Sequence, residues 1–283
     1  MNYIFFGSDN FSELVLKILK NNNFIPQSVV DGKKEIKELK DKIRELKPDL
    51  FIIASFGKIL PKELIYLPKK GTLVLHPSLL PEFRGPSPIE TALLKGKTIT
   101  GNTVILADEK VDHGPVLAQE EIEIKKEDDY ESLAKKLGEK GGELLARTIP
   151  LWLGNKIESK EQDHSRATYT KLFVKEDGEI DWSRDSEEIL NQIRALNPWP
   201  SVYTFWFDGK NNKKRLIVLK AKKSFYKSEK ELKSGAIVFK NNSLLVKTGD
   251  DFLELLEIKP EGKNPMSGEA FWRGHQSTLI FIF

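Results

Sequence analysis

The sequence predicts an α/β domain followed by a small β domain, and two patterns support this. The N-terminal half alternates short apolar runs with amphipathic stretches at helical spacing, which is typical of an α/β sheet. Beyond about residue 200 the chain has short alternating runs roughly ten residues apart, which favour a small barrel or sandwich. The stretch between them is polar and irregular. We therefore predict a first domain over 1–155, a linker over 156–184 and a second domain over 185–283.

The first domain opens with a strand, a turn and a helix. The apolar run at 3–6 is followed by Gly7-Ser8-Asp9-Asn10, which has turn chemistry, and by helical spacing over 11–19. The continuous apolar run at 50–54 indicates a strand covered on both faces of a mostly parallel sheet. By the same criteria we predict helices over 35–46 and 130–153, the latter broken or ended near Pro150, a short helix or turn over 60–67, and strands at 72–75 and 103–106.

The second domain begins with a helix over Ser186 to Leu196, which Asn197-Pro198 ends. Five alternating runs follow it and predict five strands. These are VYTFWF, RLIVLKA, GAIVFK, SLLVKT and LELLEIK. The apolar tail over 278–283 indicates one more strand at a sheet edge.

Composition excludes several classes of protein. The 283 residues include no cysteine, which rules out disulfides, thiolate zinc sites and a cysteine nucleophile. No apolar run approaches the roughly 18–20 residues that span a bilayer, and no signal-peptide pattern opens the chain, so we expect a cytoplasmic protein without a membrane partner. There is no phosphate-binding glycine loop, no GxGxxG, no GxSxG and no histidine pair at zinc-ligand spacing, so we expect no metal.

The distribution of charge indicates a polyanion partner. Residues 201–283 hold 15 Lys and Arg against 9 Asp and Glu, whereas residues 1–200 hold 30 against 33. The basic surplus is densest over 208–230 and includes Lys213, Lys214 and Arg215. Such a patch is typical of nucleic-acid binding, but on charge alone a solvated lysine-rich face is the favoured interpretation.

Two candidate catalytic residues follow neighbouring predicted strands. His76 ends the strand at 72–75 and opens a loop that four prolines constrain, at the sheet edge where α/β proteins bind ligands. Asp112 follows the strand at 103–106, and a carboxylate there can orient an imidazole and stabilise its protonated form. His76 alone could be a loop anchor and Asp112 alone a turn residue. Spacing does not choose between Asp112 and its neighbours Asp108, Glu109 and His113.

Taken together, several segments resemble the methionyl-tRNA formyltransferase family. They are HPSLLPEFRGPSPI at 76–89, VDHG at 111–114, ATYTKLFVKEDGEIDWS at 167–183, IRALNPWPSVYTFW at 193–206 and EIKPEGKNPMSGEAFWRGH at 257–275. The first is shared by folate-dependent formyltransferases, and the C-terminal segments favour the tRNA enzyme.

This resemblance implies a Rossmann-like domain that binds 10-formyltetrahydrofolate and an OB-like barrel that helps hold tRNA. The implied reaction moves a formyl group to the α-amine of methionine on initiator tRNA, with no metal. His76 and Asp112 would form the catalytic pair, and Lys213, Lys214 and Arg215 would contact tRNA. Ser78, Leu79, Leu80 and Pro81 would line the folate site. We take the protein to be a monomer.

The chain departs from the family pattern at two positions. Val74 stands two residues before His76, where the family has an asparagine that donates to the oxyanion. The stretch from Val30 to Glu35 is short, and a basic loop that contacts tRNA in the family is absent there. Two further hypotheses therefore stay open, an amino-sugar-nucleotide N-formyltransferase and a catalytically weakened paralogue that binds RNA or folate. For Trp199 and Trp206 we expect packing in a core, with stacking on RNA as the alternative.

Overall fold

The computed structural model describes residues 1–33, 36–207, 212–228, 231–275 and 280–281. The chain divides into two compact units, one of residues 1–92 and 97–172 and the other of residues 93–96 and 173–283. The main division after Leu172 therefore falls inside the segment 156–184, and residues 156–172 belong to the first unit. The basic stretch predicted at 208–230 is described except for 208–211 and 229–230.

The first unit is built on a six-stranded sheet. Its strands are β1 (Tyr3–Phe6), β2 (Ser28–Val30), β3 (Leu50–Ala54), β4 (Thr72–His76), β5 (Ile99–Leu106) and β6 (Val116–Glu123). They lie in the order β2-β1-β3-β4-β5-β6. The first four are parallel, whereas β5 runs antiparallel to both β4 and β6. The Rossmann-like, mostly parallel sheet predicted from the sequence is confirmed.

Five helices accompany these strands. They are α1 (Asn10–Asn21), α2 (Ile36–Glu45), α3 (Lys62–Ile65), α4 (Pro88–Leu94) and α5 (Tyr130–Leu153). A reciprocal capping box starts α1, in which Ser12 N–H donates to Asp9 at 2.9 Å and Asp9 N–H donates to the Ser12 hydroxyl at 3.0 Å. The prediction that α5 breaks near Pro150 is wrong, because the helix continues to Leu153 and the Gly154 N–H donates to the Pro150 carbonyl.

The core of the first unit lies between the helices and the central strands. All four residues of β1 are at most 1% exposed, so both faces of this strand are covered. The Phe6 ring packs edge-on against Phe51 and Phe56, with centroids 5.0 and 5.3 Å away. This packing joins the carboxyl end of β1 to β3 and to the turn that follows β3.

The second unit contains α6 (Ser186–Leu196), α7 (Gly268–His275) and an antiparallel sheet curled into a half-barrel. The strands are β7 (Tyr203–Phe207), β8 (Lys213–Ser224), β9 (Ile237–Lys240), β10 (Ser243–Lys247), β11 (Phe252–Pro260), β12 (Met266–Ser267) and β13 (Ile280–Phe281). Their order is β13-β7-β8-β11-β10-β9, and β12 pairs with β11. All five predicted strands are present, and β13 confirms the edge strand predicted in the tail. The curled sheet agrees with the predicted OB-like domain.

Candidate active site

A cavity of about 460 Å³ opens at the carboxyl ends of β3 and β4 in the first unit. Much of its wall is apolar, and its polar side chains stand in two groups. One group contains His76 and Asp112, the other contains Asp9, Glu90 and Tyr130, and Ser55 and Lys58 also line the wall. A mostly apolar cavity with a few converging polar groups at this edge of a parallel sheet is the usual form of a small-molecule site.

His76 is the last residue of β4 and is buried. Its Nε2 lies 2.9 Å from the carbonyl oxygen of Phe83. A carbonyl oxygen only accepts, so Nε2 carries a proton and donates it. The Nδ1 atom lies 3.4 Å from Asp112 Oδ1. Each ring nitrogen therefore faces an acceptor, and an imidazolium would have a partner for both of its N–H groups.

Asp112 meets His76 with one carboxylate oxygen and the loop after Phe83 with the other. Its Oδ2 accepts the backbone N–H of Gly85 at 2.8 Å. Its backbone has φ = 50°, a left-handed conformation that costs a non-glycine residue roughly 1–2 kcal/mol. The contacts around this turn hold the carboxylate beside the imidazole.

The route by which Asp112 reaches His76 differs from the one expected. The sequence suggested two adjacent strands that end at the same edge of the sheet. Because β5 runs antiparallel to β4, its last residue Leu106 lies opposite Leu73, near the start of β4. The loop over 107–115 must therefore turn back along the sheet to bring Asp112 to His76.

The structure also distinguishes Asp112 from its neighbours in sequence. Asp108 Oδ2 lies 2.6 Å from His113 Nδ1, and Glu109 pairs with Lys62. The His113 ring stacks on His164 with centroids 4.0 Å apart. Among the described residues, Asp112 is thus the acid that contacts His76.

The turn Ser78-Leu79-Leu80-Pro81 is not part of the wall of this cavity. Instead, its polar groups bond to the sheet and to its own loop. The Ser78 hydroxyl donates to the Glu82 carbonyl at 2.6 Å, and the Ser78 carbonyl accepts from Thr103 Oγ1 at 2.6 Å. These bonds fix the loop that follows His76, and a folate contact by the four residues stays a prediction.

Comparisons with known proteins identify the family of the chain. The family model described as formyl transferase matches residues 6–149, and that of the formyl transferase C-terminal domain matches residues 173–276. The chain belongs to the formyltransferase family. Methionyl-tRNA formyltransferase of Bacillus licheniformis is 42% identical over 236 residues, which cover 83% of this chain and 72% of that protein.

Two solved structures share the fold of this formyltransferase. Methionyl-tRNA formyltransferase from Clostridium thermocellum superposes with a TM-score of 0.61 at 21% identity, over 80% of this chain and 95% of that one. HypX from Aquifex aeolicus in complex with tetrahydrofolic acid superposes with a TM-score of 0.67 at 18% identity. The match covers 96% of this chain and 46% of HypX, which is a longer protein.

Val74 lines the cavity of the formyltransferase at the position where the resemblance places an asparagine. Two polar residues, one on the same strand and one on the neighbouring strand β5, do not replace that donor. The Thr72 hydroxyl donates to the Ile65 carbonyl at 2.7 Å, and Asn102 Nδ2 donates to the Leu137 carbonyl at 2.9 Å. Both side chains are buried and neither belongs to the cavity wall.

The second polar group of the cavity, Asp9, Glu90 and Tyr130, contains two acids and was not predicted from the sequence. Burial raises the pKa of Glu90 to about 6, and the negative charge of Asp9 adds to this effect. Burial also raises the pKa of Tyr130 to about 12, with the charges of Glu90 and Asp9 acting in the same direction. Asp9 itself caps α1 and accepts a hydrogen bond from Ser55.

In the second unit, the basic residues predicted to contact tRNA form the start of β8. Each one lies over an aromatic ring of β7. The Lys213 Nζ is 3.8 Å from the Phe205 ring centre, and the Arg215 guanidinium carbon is 3.7 Å from that of Tyr203. Lys214 Nζ lies 5.9 Å from the Trp206 ring centre. Cation–π contacts of this kind restrict long basic side chains.

The two tryptophans differ in their surroundings. Trp206 is 3% exposed and packs edge-on against Phe271, as expected for a core residue. The prediction that Trp199 packs in a core is wrong, because this side chain is 59% exposed. It follows α6 in the turn 197–200, before β7 begins.

Within the described ranges, no group of three or more His, Asp or Glu side chains is arranged to hold a metal ion. No helix in the described part of the chain combines the length and the apolar character that crossing a membrane requires.

Two buried residues near His76 and Asp112 were not predicted from the sequence. Arg84 is 2% exposed and Gln162 is 7% exposed, and they bond to each other at 2.6 Å. Arg84 belongs to the motif of the loop after His76, but its burial cannot be read from the motif. Gln162 lies in a segment whose polar composition predicted a linker.

Proposed function

We propose that this formyltransferase moves the formyl group of 10-formyltetrahydrofolate to the α-amine of methionine on initiator tRNA. The observation that carries the proposal is the contact of His76 with Asp112 inside the cavity, in a chain similar over most of its length to methionyl-tRNA formyltransferases. The protein family supports the transfer of a one-carbon group.

The cavity suits a flat heterocycle that carries a reactive group at one end. Apolar residues such as Ile53, Phe56 and Ile89 contribute to its wall. His76 and Asp112 stand on that wall at the end of β4, where the formyl carbon would have to lie. The tetrahydrofolate bound in the HypX structure supports this class of donor.

In the proposed reaction, the amine nitrogen bonds to the formyl carbon and the bond from that carbon to the folate nitrogen breaks. The amine loses a proton and the folate nitrogen gains one. In its protonated form, His76 would donate its Nε2–H to the Phe83 carbonyl and its Nδ1–H, which lies beside Asp112, to the developing oxyanion.

Asp112 would stabilise positive charge on the imidazole and, directly or through water, accept the amine proton. The bond from Gly85 N–H to Oδ2 keeps the carboxylate oriented while its other oxygen acts. The valine at position 74 supplies no donor, so the transition state would have fewer hydrogen bonds than the family pattern provides.

For the tRNA, we propose that Lys213, Lys214 and Arg215 contact the phosphate backbone. They are consecutive residues of β8, so Lys213 and Arg215 extend from one face of the strand and Lys214 from the other. The aromatic rings of β7 restrict their side chains. Such contacts position a nucleic acid without reading its sequence. We propose that the enzyme acts as a monomer.

A transfer assay tests the function directly. The purified protein and 10-formyltetrahydrofolate carrying a labelled formyl group are incubated with initiator Met-tRNA, elongator Met-tRNA and a panel of amino-sugar nucleotides. We expect label on the methionine of initiator tRNA. Label on an amino sugar alone would establish the alternative enzyme. Binding of tRNA without any product would establish a non-catalytic paralogue.

A further inference from the structure

The segment 160–170, here called the strap, holds both loops that carry the candidate catalytic groups. At its start, the backbone of Lys160 exchanges two hydrogen bonds with Val116, at 2.7 and 2.8 Å. At its end, the Arg84 N–H donates to the Thr168 carbonyl at 2.9 Å, and the Thr170 N–H donates to the Arg84 carbonyl at 2.8 Å. The strap therefore connects the loop of Asp112 with the loop that follows His76.

Gln162 is the buried side chain at the centre of these contacts. Its Nε2 donates to the carbonyl of Asp112 at 3.0 Å and to that of Gly114 at 2.7 Å. Its Oε1 accepts from an Arg84 guanidinium nitrogen at 2.6 Å. A guanidinium only donates, so Arg84 fixes which end of the amide faces the two carbonyls.

The hydrogen bonds of Gln162 stabilise the turn at Asp112, whose backbone conformation is unfavourable. Asp112 has φ = 50°, and its carbonyl is the group that Gln162 holds. The same strap reaches His76 by another route, because Thr168 Oγ1 accepts the Phe83 N–H at 2.8 Å and the Phe83 carbonyl accepts from His76. The strap thus contacts the immediate supports of both side chains.

We propose that Gln162, oriented by Arg84, is a positioning residue that sets the distance between Asp112 and His76. The proposal rests on the catalytic role proposed above for that pair. Gln162 itself is outside the cavity wall and touches the pair through the Asp112 backbone.

The variant Gln162→Glu separates positioning from folding. A glutamate of the same length can pair with Arg84, whose partners among the described side chains are Gln162 and His164. Its other oxygen would then face the carbonyls of Asp112 and Gly114, where it cannot donate. Asp163→Ala is the matched control, because it removes the cap of the turn at His164–Arg166 in the same strap without touching Asp112.

For Gln162→Glu we expect kcat to fall about 10–100-fold and KM for both substrates to stay within about twofold. The protein should stay folded at the assay temperature, because the ion pair with Arg84 offsets part of the loss of the two donated hydrogen bonds. Asp163→Ala should keep the wild-type kcat. A wild-type kcat for Gln162→Glu, or an equal loss in both variants, would overturn the proposal. If Gln162→Glu does not fold, Gln162→Asn, which is too short to reach both carbonyls, must give the same loss.

A second readout does not depend on activity. The ¹⁵N chemical shifts of the His76 ring report its tautomer and hydrogen bonds, and we expect them to change in Gln162→Glu and not in Asp163→Ala. Unchanged shifts would contradict positioning by Gln162. If the wild type transfers no formyl group, the proposed function fails, while this spectrum still tests the link between Gln162 and His76.

Discussion

The half-buried carboxyl of Glu90 gives a prediction about stability. Burial raises the pKa of Glu90 to about 6 in the folded protein, from an ordinary value of 4.5. The folded state therefore binds more protons than the unfolded state between these values, so stability falls as pH rises from about 4.5 to about 6. Above this range the ionised carboxylate destabilises the fold by about 2 kcal/mol, since each pKa unit corresponds to about 1.4 kcal/mol.

We expect Glu90→Gln to remove this penalty. At pH 8 the variant should be more stable than the wild type by about 2 kcal/mol, or roughly 4–8 °C in unfolding temperature. At pH 4 the variant and the wild type should have the same unfolding temperature, because the wild-type carboxyl is then protonated. Calorimetry or circular dichroism from pH 4 to pH 8 measures the difference.

The control for Glu90→Gln is Glu127→Gln, at an exposed position in the loop before α5. It should leave stability unchanged across the same range. A Glu90→Gln variant with the same advantage at pH 4 and pH 8 would refute the reasoning, because its effect would then come from packing instead of charge. A variant less stable at pH 8 would show that the carboxylate is favourably bound.

Two further predictions concern the transfer reaction. Val74→Asn places an amide donor on the cavity wall. We expect kcat to rise about tenfold or more, because a single oxyanion donor is worth roughly 10²–10³ in rate. An unchanged kcat would mean that another group already donates to the oxyanion. Changing Lys213, Lys214 and Arg215 to Glu should weaken tRNA binding and reduce the slope of log affinity against log salt by about 2–3, as measured by filter binding from 50 to 200 mM salt. An unchanged slope would mean that these side chains are only a solvated face.

Several elements of the fold could be predicted because local chemistry determines them. Turn chemistry at 7–10 indicated the start of α1, where the structure has a capping box of Asp9 and Ser12. The unbroken apolar run of β3 is buried on both faces, as predicted. The alternating apolar and polar runs of the second unit form strands because this alternation gives each strand one apolar face. His76 could be predicted as a site residue because it ends a parallel strand, and α/β proteins bind ligands at the carboxyl ends of such strands.

The remaining features depend on contacts between distant parts of the chain. Asp112 could not be separated from Asp108 by spacing, since the loop over 107–115 turns back and only its path decides which acid meets His76. Gln162 was not predicted as a buried residue, because the polar composition of its segment does not show that the segment packs on Arg84. Glu90 becomes an acid of raised pKa only when α4 places it in the same cavity as Asp9.

The most direct test measures single-turnover formyl transfer to initiator Met-tRNA by the wild type, Asp112→Asn and Asp108→Asn. The two acids lie four residues apart in one loop, and each is beside a different histidine. We predict that Asp112→Asn loses about 10²–10⁴ in rate, whereas Asp108→Asn stays within about twofold of the wild type. A near-wild-type rate for Asp112→Asn would contradict the role of this carboxylate in the reaction.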